Sequence, residues 1–189
     1  MSATGVWPHT GAILAGGLSS RMGTPKQNLR VTIPNGEDVR MIDAVARAMR
    51  EVCRDIVILG ECETLHDCRR VADLRTGCGP LGGIEALLAT GMDSQYLICP
   101  CDTPRITADV LRALTTNGTL ATVLMFDDAE FFEPLPARIA TGALPMVRQL
   151  LDEGRRSVHE LMRALHAQQV VVSAAWRDRL RNVNTPADL

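Results

Sequence analysis

The chain of 189 residues is poor in aromatic side chains, with two tryptophans, one tyrosine and three phenylalanines. That scarcity argues against a single-strand nucleic-acid platform, which stacks successive bases on aromatic rings. Positive charge is not in excess either. Twenty Lys and Arg against 22 Asp and Glu leave a net charge of −2, so no basic field draws in nucleic acid. No apolar run reaches the length of about 18 residues that a membrane span needs. No basic stretch leads into an apolar one near the first residue, so neither anchor nor signal peptide is expected. The six cysteines, at positions 53, 62, 68, 78, 99 and 101, form no Cys-x-x-Cys pair, and no histidine is spaced to complete a zinc set. They are expected as free thiols in a reducing cytoplasm. His9, His66, His159 and His166 show no ligand spacing and read as surface or cap residues.

What is present is alternation. Short apolar runs at 11–14, 56–59, 96–99, 121–125 and 170–172 read as strands. Segments at 41–52, 81–90, 107–114, 143–153 and 158–165 carry helical spacing. Residues 29–40 read as a small hairpin around Pro34-Asn35-Gly36-Glu37. Ser157, three residues before Glu160, makes a capping-box pattern, and Thr107 is the expected N-cap of its helix. The pattern predicts one domain over residues 1–189: a Rossmann-like three-layer α/β/α sandwich on a mostly parallel sheet.

The most informative segment follows the first strand: Leu14-Ala15-Gly16-Gly17-Leu18-Ser19-Ser20-Arg21-Met22-Gly23-Thr24-Pro25-Lys26. Glycines let backbone N–H groups approach phosphate oxygens with no Cβ in the way. Arg21 offers a planar fork for an oxygen pair, and Lys26 a mobile point charge. The loop is neither the Gly-x-Gly-x-x-Gly dinucleotide fingerprint nor a P-loop, since no Gly-Lys-Ser/Thr ends it.

In its order of residues the segment resembles the signature loop of nucleotidyltransferases that move an NMP from an NTP onto a phosphate. Among these it is most similar to the MobA-like family of molybdenum cofactor guanylyltransferases and their cytidylyltransferase cousins. Three further motifs carry the resemblance. Pro100-Cys101-Asp102-Thr103-Pro104 follows the strand 96–99, and open α/β sheets bind ligands at carboxyl ends of strands. A lone carboxylate there suits Mg²⁺, which takes one or two carboxylates plus phosphate oxygens. The competing reading is that Asp102 caps a turn before Thr-Pro. Asp73, followed by Gly79-Pro80-Leu81-x-Gly83, resembles the family's nucleotide-binding pair of motifs. A carboxylate can accept two hydrogen bonds from guanine, while Gly82-Gly83 could instead serve close helix–sheet packing. Asn182-Val183-Asn184-Thr185-Pro186-Ala187-Asp188-Leu189 matches the family's C-terminal motif and suits the second substrate's phosphate, or else an Asx turn. Glu133-Pro134-Leu135-Pro136-Ala137 and the Gly154-Arg155-Arg156-Ser157 corner resemble the acceptor side. Paired arginines between helices are more often a solvated corner.

The resemblance implies an enzyme with Arg21, Lys26 and Asp102 as catalytic residues. Leu14, Ala15, Gly16, Gly17, Lys26, Asp73, Gly79, Pro80 and Leu81 would bind the nucleotide, Asn182 and Asn184 the acceptor, and Asp102 a Mg²⁺ cofactor. The implied substrates are GTP and the molybdopterin cofactor. Transient contact with proteins that supply or accept the cofactor, and a monomer or weak homo-oligomer, also follow. The base stays open between guanine and cytosine. Gly17 and Cys101 point to guanine, whereas the short Arg21–Lys26 spacing and Gly60-Glu61 after the second core strand point away. The alternatives are a cytidylyltransferase, a transferase with another phosphorylated acceptor, and a non-catalytic nucleotide-binding module.

Overall fold

Strand β1, Trp7–Leu14, lies in the middle of the molecule with a parallel neighbour on either side. On one side runs β4 (Cys53–Leu59), pairing Leu14 with Leu59, and on the other β6 (Gln95–Pro100), pairing Leu14 with Pro100. The computed structural model describes residues 6–15, 28–33, 36–62, 64–116, 118–183 and 188. Among these, a seven-stranded sheet runs in the order β5-β4-β1-β6-β8-β7-β9, where β5 is Arg69–Val71, β7 Ala121–Phe126, β8 Phe132–Ala140 and β9 Gln168–Val172. Only β8 runs antiparallel to its neighbours. The chain first winds outward from β1 to β4 and β5, then returns to place β6 on β1's other side. That reversal is a topological switch point, and outside the carboxyl ends of β1 and β6 lies the position at which open α/β sheets bind ligands.

Both sheet faces are buried, as the continuous apolar runs require. In β1, Ala12 and Leu14 point into one core and Ile13 into the other, following the two-residue period of a strand. The first core packs against α2 (Gly79–Ala89), α4 (Leu144–Asp152) and α5 (Val158–Ala164). The second packs against α1 (Met41–Arg50) and α3 (Ala108–Ala113). Helix α1 buries Ile42, Val45, Ala46 and Met49, the helical stripe read from the sequence. The hairpin is β2 (Arg30–Thr32) with β3 (Asp38–Arg40), and it shares a small core with Met41, Ala44 and Val183.

Several expectations change. Residues 132–140 form a strand that the sequence pattern did not suggest, because Pro134 and Pro136 interrupt it. The structure accommodates them where the register to β7 jumps from Val123–Ala137 to Leu124–Glu133, so neither proline has to donate to that ladder. Short β5 and the 3-10 segment Ala174–Leu180 were also not anticipated. Thr107 occupies the N-cap of α3 without a side-chain cap bond, whereas Ser157 accepts from Glu160 N (3.3 Å) as the capping box requires. His9 is half-buried rather than exposed. Its Nδ1 lies 2.6 Å from Asp93 Oδ1, in a network with Thr10 and Arg54 at the amino end of β1. His159 stacks on Phe132 with ring centroids 4.5 Å apart.

Candidate active site

The site is built from strand ends. Ala15 N donates to Leu59 O (3.0 Å) and Cys101 N donates to Leu14 O (3.1 Å), so β1, β4 and the loop after β6 end at one level. Leu14 and Ala15 are buried, which leaves only their backbone to meet a ligand. Asp102 stands at the carboxyl end of β6, half-buried. The turn that carries it is closed by the next residue. Thr103 is almost fully buried, and its hydroxyl donates to Pro100 O (3.0 Å). Val183 N donates to Asp102 O (2.8 Å), which brings the C-terminal motif to this loop. Asn182, beside Val183, is exposed in irregular chain rather than in a strand.

The third wall is the start of α2. Gly79 adopts φ +59° and Gly77 φ +69°, left-handed conformations that glycine enters without penalty. Cys78 at the N-cap makes no side-chain cap bond, so the first amides of α2 are left for another acceptor, with the helix dipole behind them. Gly79 and Pro80 are exposed, while Leu81 is fully buried and offers only backbone. Gly83 lies where helix meets sheet, whereas Gly82 faces the loop that precedes α2. A Cβ on Gly83 would sit 3.2 Å from Leu14 Cδ2 and 3.6 Å from Asp73 Oδ1; one on Gly82 would sit 2.8 Å from Cys78 Cβ. Close helix–sheet packing, the competing reading of these two glycines, holds for Gly83, while Gly82 packs against its own N-cap and the loop carrying Asp73. The same contacts put the Asp73 carboxylate over the first turns of α2, where partial desolvation raises its pKa from the ordinary aspartate value. Gly16, Gly17, Arg21, Lys26 and Asn184 lie outside the described residues.

As a metal donor, Asp102 supplies hard oxygen at a half-open strand end. Among the described residues no group of three His, Cys, Asp or Glu side chains could hold an ion alone. That donor set fits a cation completing its shell with substrate phosphates and water, as Mg²⁺ does. A structural zinc site, which takes four Cys or His ligands, has no counterpart among the described residues.

Residues 11–170 match the family described as the MobA-like NTP transferase domain. The chain belongs to the MobA-like NTP transferase family. This nucleotidyltransferase is 33% identical to a probable molybdenum cofactor guanylyltransferase of Opitutus terrae, over 94% of this chain and 91% of that one. It is 32% identical to a molybdenum cofactor guanylyltransferase of Pseudomonas fluorescens, over 98% and 94%. Its fold resembles that of the molybdopterin-guanine dinucleotide biosynthesis protein A of Archaeoglobus fulgidus, with TM-score 0.71 and 22% identity over 95% and 94% of the two chains.

Two features of the transferase escaped the sequence reading. Glu85, in an otherwise apolar stretch of α2, is only 2% exposed. Arg75 Nε lies 3.0 Å from Glu85 Oε2 and Arg148 Nε 3.5 Å from Oε1, while Arg75 also reaches Asp152 (2.6 Å). These ion pairs tie the loop carrying Asp73 to α2 and α4. The signal was a single carboxylate inside an apolar run, which is costly without a partner. The second is a cavity beside the C-terminal motif, lined by Phe126, Glu133, Arg177, Asp178, Leu180 and Arg181. In the corner between α4 and α5, Arg155 is paired with Glu153 (3.2 Å) and Glu160 (3.3 Å), the solvated arrangement, and Arg156 is exposed.

Proposed function

We propose that this chain is a single-domain molybdenum cofactor guanylyltransferase that moves GMP from Mg-GTP onto the phosphate of molybdopterin cofactor. One observation carries the reading. Asp102, the uncapped start of α2 with Asp73 over it, and the end of β1 that opens into the Gly16–Lys26 loop all converge on one switch point. The curated relatives named for that activity support the choice of substrates.

In this reading an oxygen of the acceptor phosphate attacks the α-phosphorus of GTP. The bond from that phosphorus to the bridging oxygen breaks, and pyrophosphate leaves with the electron pair. The acceptor phosphate is already a nucleophile, so no enzyme-bound intermediate is needed. Asp102 would hold Mg²⁺, which when bound offsets charge on the triphosphate. Lys26 and Arg21 neutralise the phosphates that carry the developing negative charge. The amides of Gly79 and Leu81 point at anionic groups, and Asp73 accepts from the base. Asn182 and Asn184 orient the acceptor. Catalysis is then positioning plus charge neutralisation.

The test is direct. Purified protein is incubated with Mg²⁺, each NTP in turn and candidate phosphorylated acceptors, and pyrophosphate is assayed. GTP with molybdopterin should give the highest kcat/KM. Preference for CTP would move the chain to the cytidylyl branch, and no release with any pair would remove the reading.

A further inference from the structure

We propose that the cavity lined by Glu133 and Arg181 is an acceptor subsite, with Arg181 taking the acceptor's phosphate and Glu133 taking N–H donors of its ring. This rests on the transferase reading above and assigns the contacts made by the second substrate.

The cavity measures about 490 Å³, the size of a site for a small organic ligand. It opens where Phe126 ends β7 and Glu133 follows the first residue of the antiparallel strand β8. Arg181 immediately precedes Asn182, and Val183 N is bonded to Asp102 O at 2.8 Å. The cavity therefore adjoins the loop of the candidate metal carboxylate.

Its charges are sorted. Arg177 is paired with Asp128, and its guanidinium lies 4.3 Å from the centroid of the Phe126 ring. Asp178 is paired with Arg105 at 2.8 Å. Among the described residues the side chains of Glu133 and Arg181 have no hydrogen-bond or ion-pair partner, and they are not paired with each other. One cavity thus brings together an unengaged fork, an unengaged carboxylate and a flat guanidinium shelf backed by Phe126. That combination fits a phosphate monoester attached to a planar heterocycle whose edge carries N–H and NH₂ donors, as a pterin does. The carboxylate accepts two bonds from such an edge, and the planar guanidinium stacks on the ring.

Calorimetric titration of hydroxymethylpterin monophosphate and of phenyl phosphate into the full chain tests this without needing turnover. Arg181→Gln should weaken both probes about tenfold or more, with Arg181→Lys recovering part of the loss. Glu133→Gln should reduce the preference for the pterin probe and leave phenyl phosphate nearly unchanged. GTP binding and its KM should stay within about twofold of wild type in all three. Unchanged probe affinities, or equal losses of GTP and probe, would overturn the subsite. A wild type that binds the pterin probe but releases no pyrophosphate would instead remove the transferase reading and leave the subsite standing.

Discussion

Substituting alanine for each of the adjacent glycines of α2 should have unequal consequences. Glycine in a helix costs roughly 0.5–1 kcal/mol relative to alanine, so each change begins with a gain of that size. At Gly82 the new Cβ would lie 2.8 Å from Cys78 Cβ and 3.6 Å from Arg75 O. Cys78 Cβ is fixed by its backbone, and Gly79 at φ +59° holds that backbone folded over the helix. Relief requires the helix start to shift by about half an ångström, an overpacking cost of about 1–3 kcal/mol. Gly82→Ala should therefore be destabilised by about 1–2 kcal/mol net, a loss of roughly 2–8 °C in Tm for a chain of this size. At Gly83 the tight contact is Leu14 Cδ2 at 3.2 Å, a terminal methyl that yields by a small rotation. Gly83→Ala should then stay within about 1 kcal/mol of wild type. Thermal unfolding followed by circular dichroism measures both. Equal shifts, or a stabilised Gly82→Ala, would show that the start of α2 is not held as tightly against its own N-cap as the geometry requires.

Lys26 is the only lysine in the chain, so Lys26→Ala should cut kcat/KM by at least ~100-fold with circular dichroism unchanged, and Mg-GTP should shield that amine from acetylation. Near-normal turnover of the variant would end its assignment. Asp102→Asn should lose activity and flatten the Mg²⁺ titration together, since an amide attracts a hard cation poorly; an unchanged titration would make Asp102 a turn residue only. Asp73→Ala should narrow the gap between GTP and CTP affinities, expected at roughly ten- to a hundredfold, if the carboxylate reads the base. An intact gap would mean that Asp73 only shapes the loop. Burial pushes the Asp93 carboxyl up, but hydrogen bonds from His9, Thr10 and Ser94 outweigh it and hold its pKa below the usual value. Its contribution is present above the unfolded pKa, about 4, and is lost as pH falls through the lower folded value. Asp93→Asn should therefore destabilise the protein at neutral pH and flatten the acid limb of its stability curve, and an acid limb as steep as wild type would contradict that.

Much of the fold was legible because its signals are local. The β-branched run at 56–59 and the stripe Ile42, Val45, Ala46 and Met49 each carry their period within a dozen residues. Both landed in the elements expected, with ends moved by a few positions. Residues 132–140 show the limit. Two prolines argue against a strand, yet β8 tolerates them where its register to β7 slips, and only the tertiary pairing discloses that slip. Thr107 shows the same limit at smaller scale: it holds the N-cap position without making the bond that usually defines it.

The candidate site divides along the same line. Leu14, Asp73, Gly79 and Asp102 could be named from ordered motifs, because a loop after a strand declares its place at the sheet edge. What the motifs could not give is division of labour. Gly82 and Gly83 sit in the same phrase as Gly79, yet they are packing residues, whereas Gly79 is required by its backbone angle. Glu85 looks like a misplaced charge until Arg75 and Arg148 arrive from elsewhere in the chain. Glu133 and Arg181 lie nearly fifty residues apart, and nothing in the spacing between them indicates a shared cavity. Position along a motif reports which backbone reaches the site. Which side chain faces a ligand depends on charges that remain once every other pair has formed, and that remainder exists only in the folded chain.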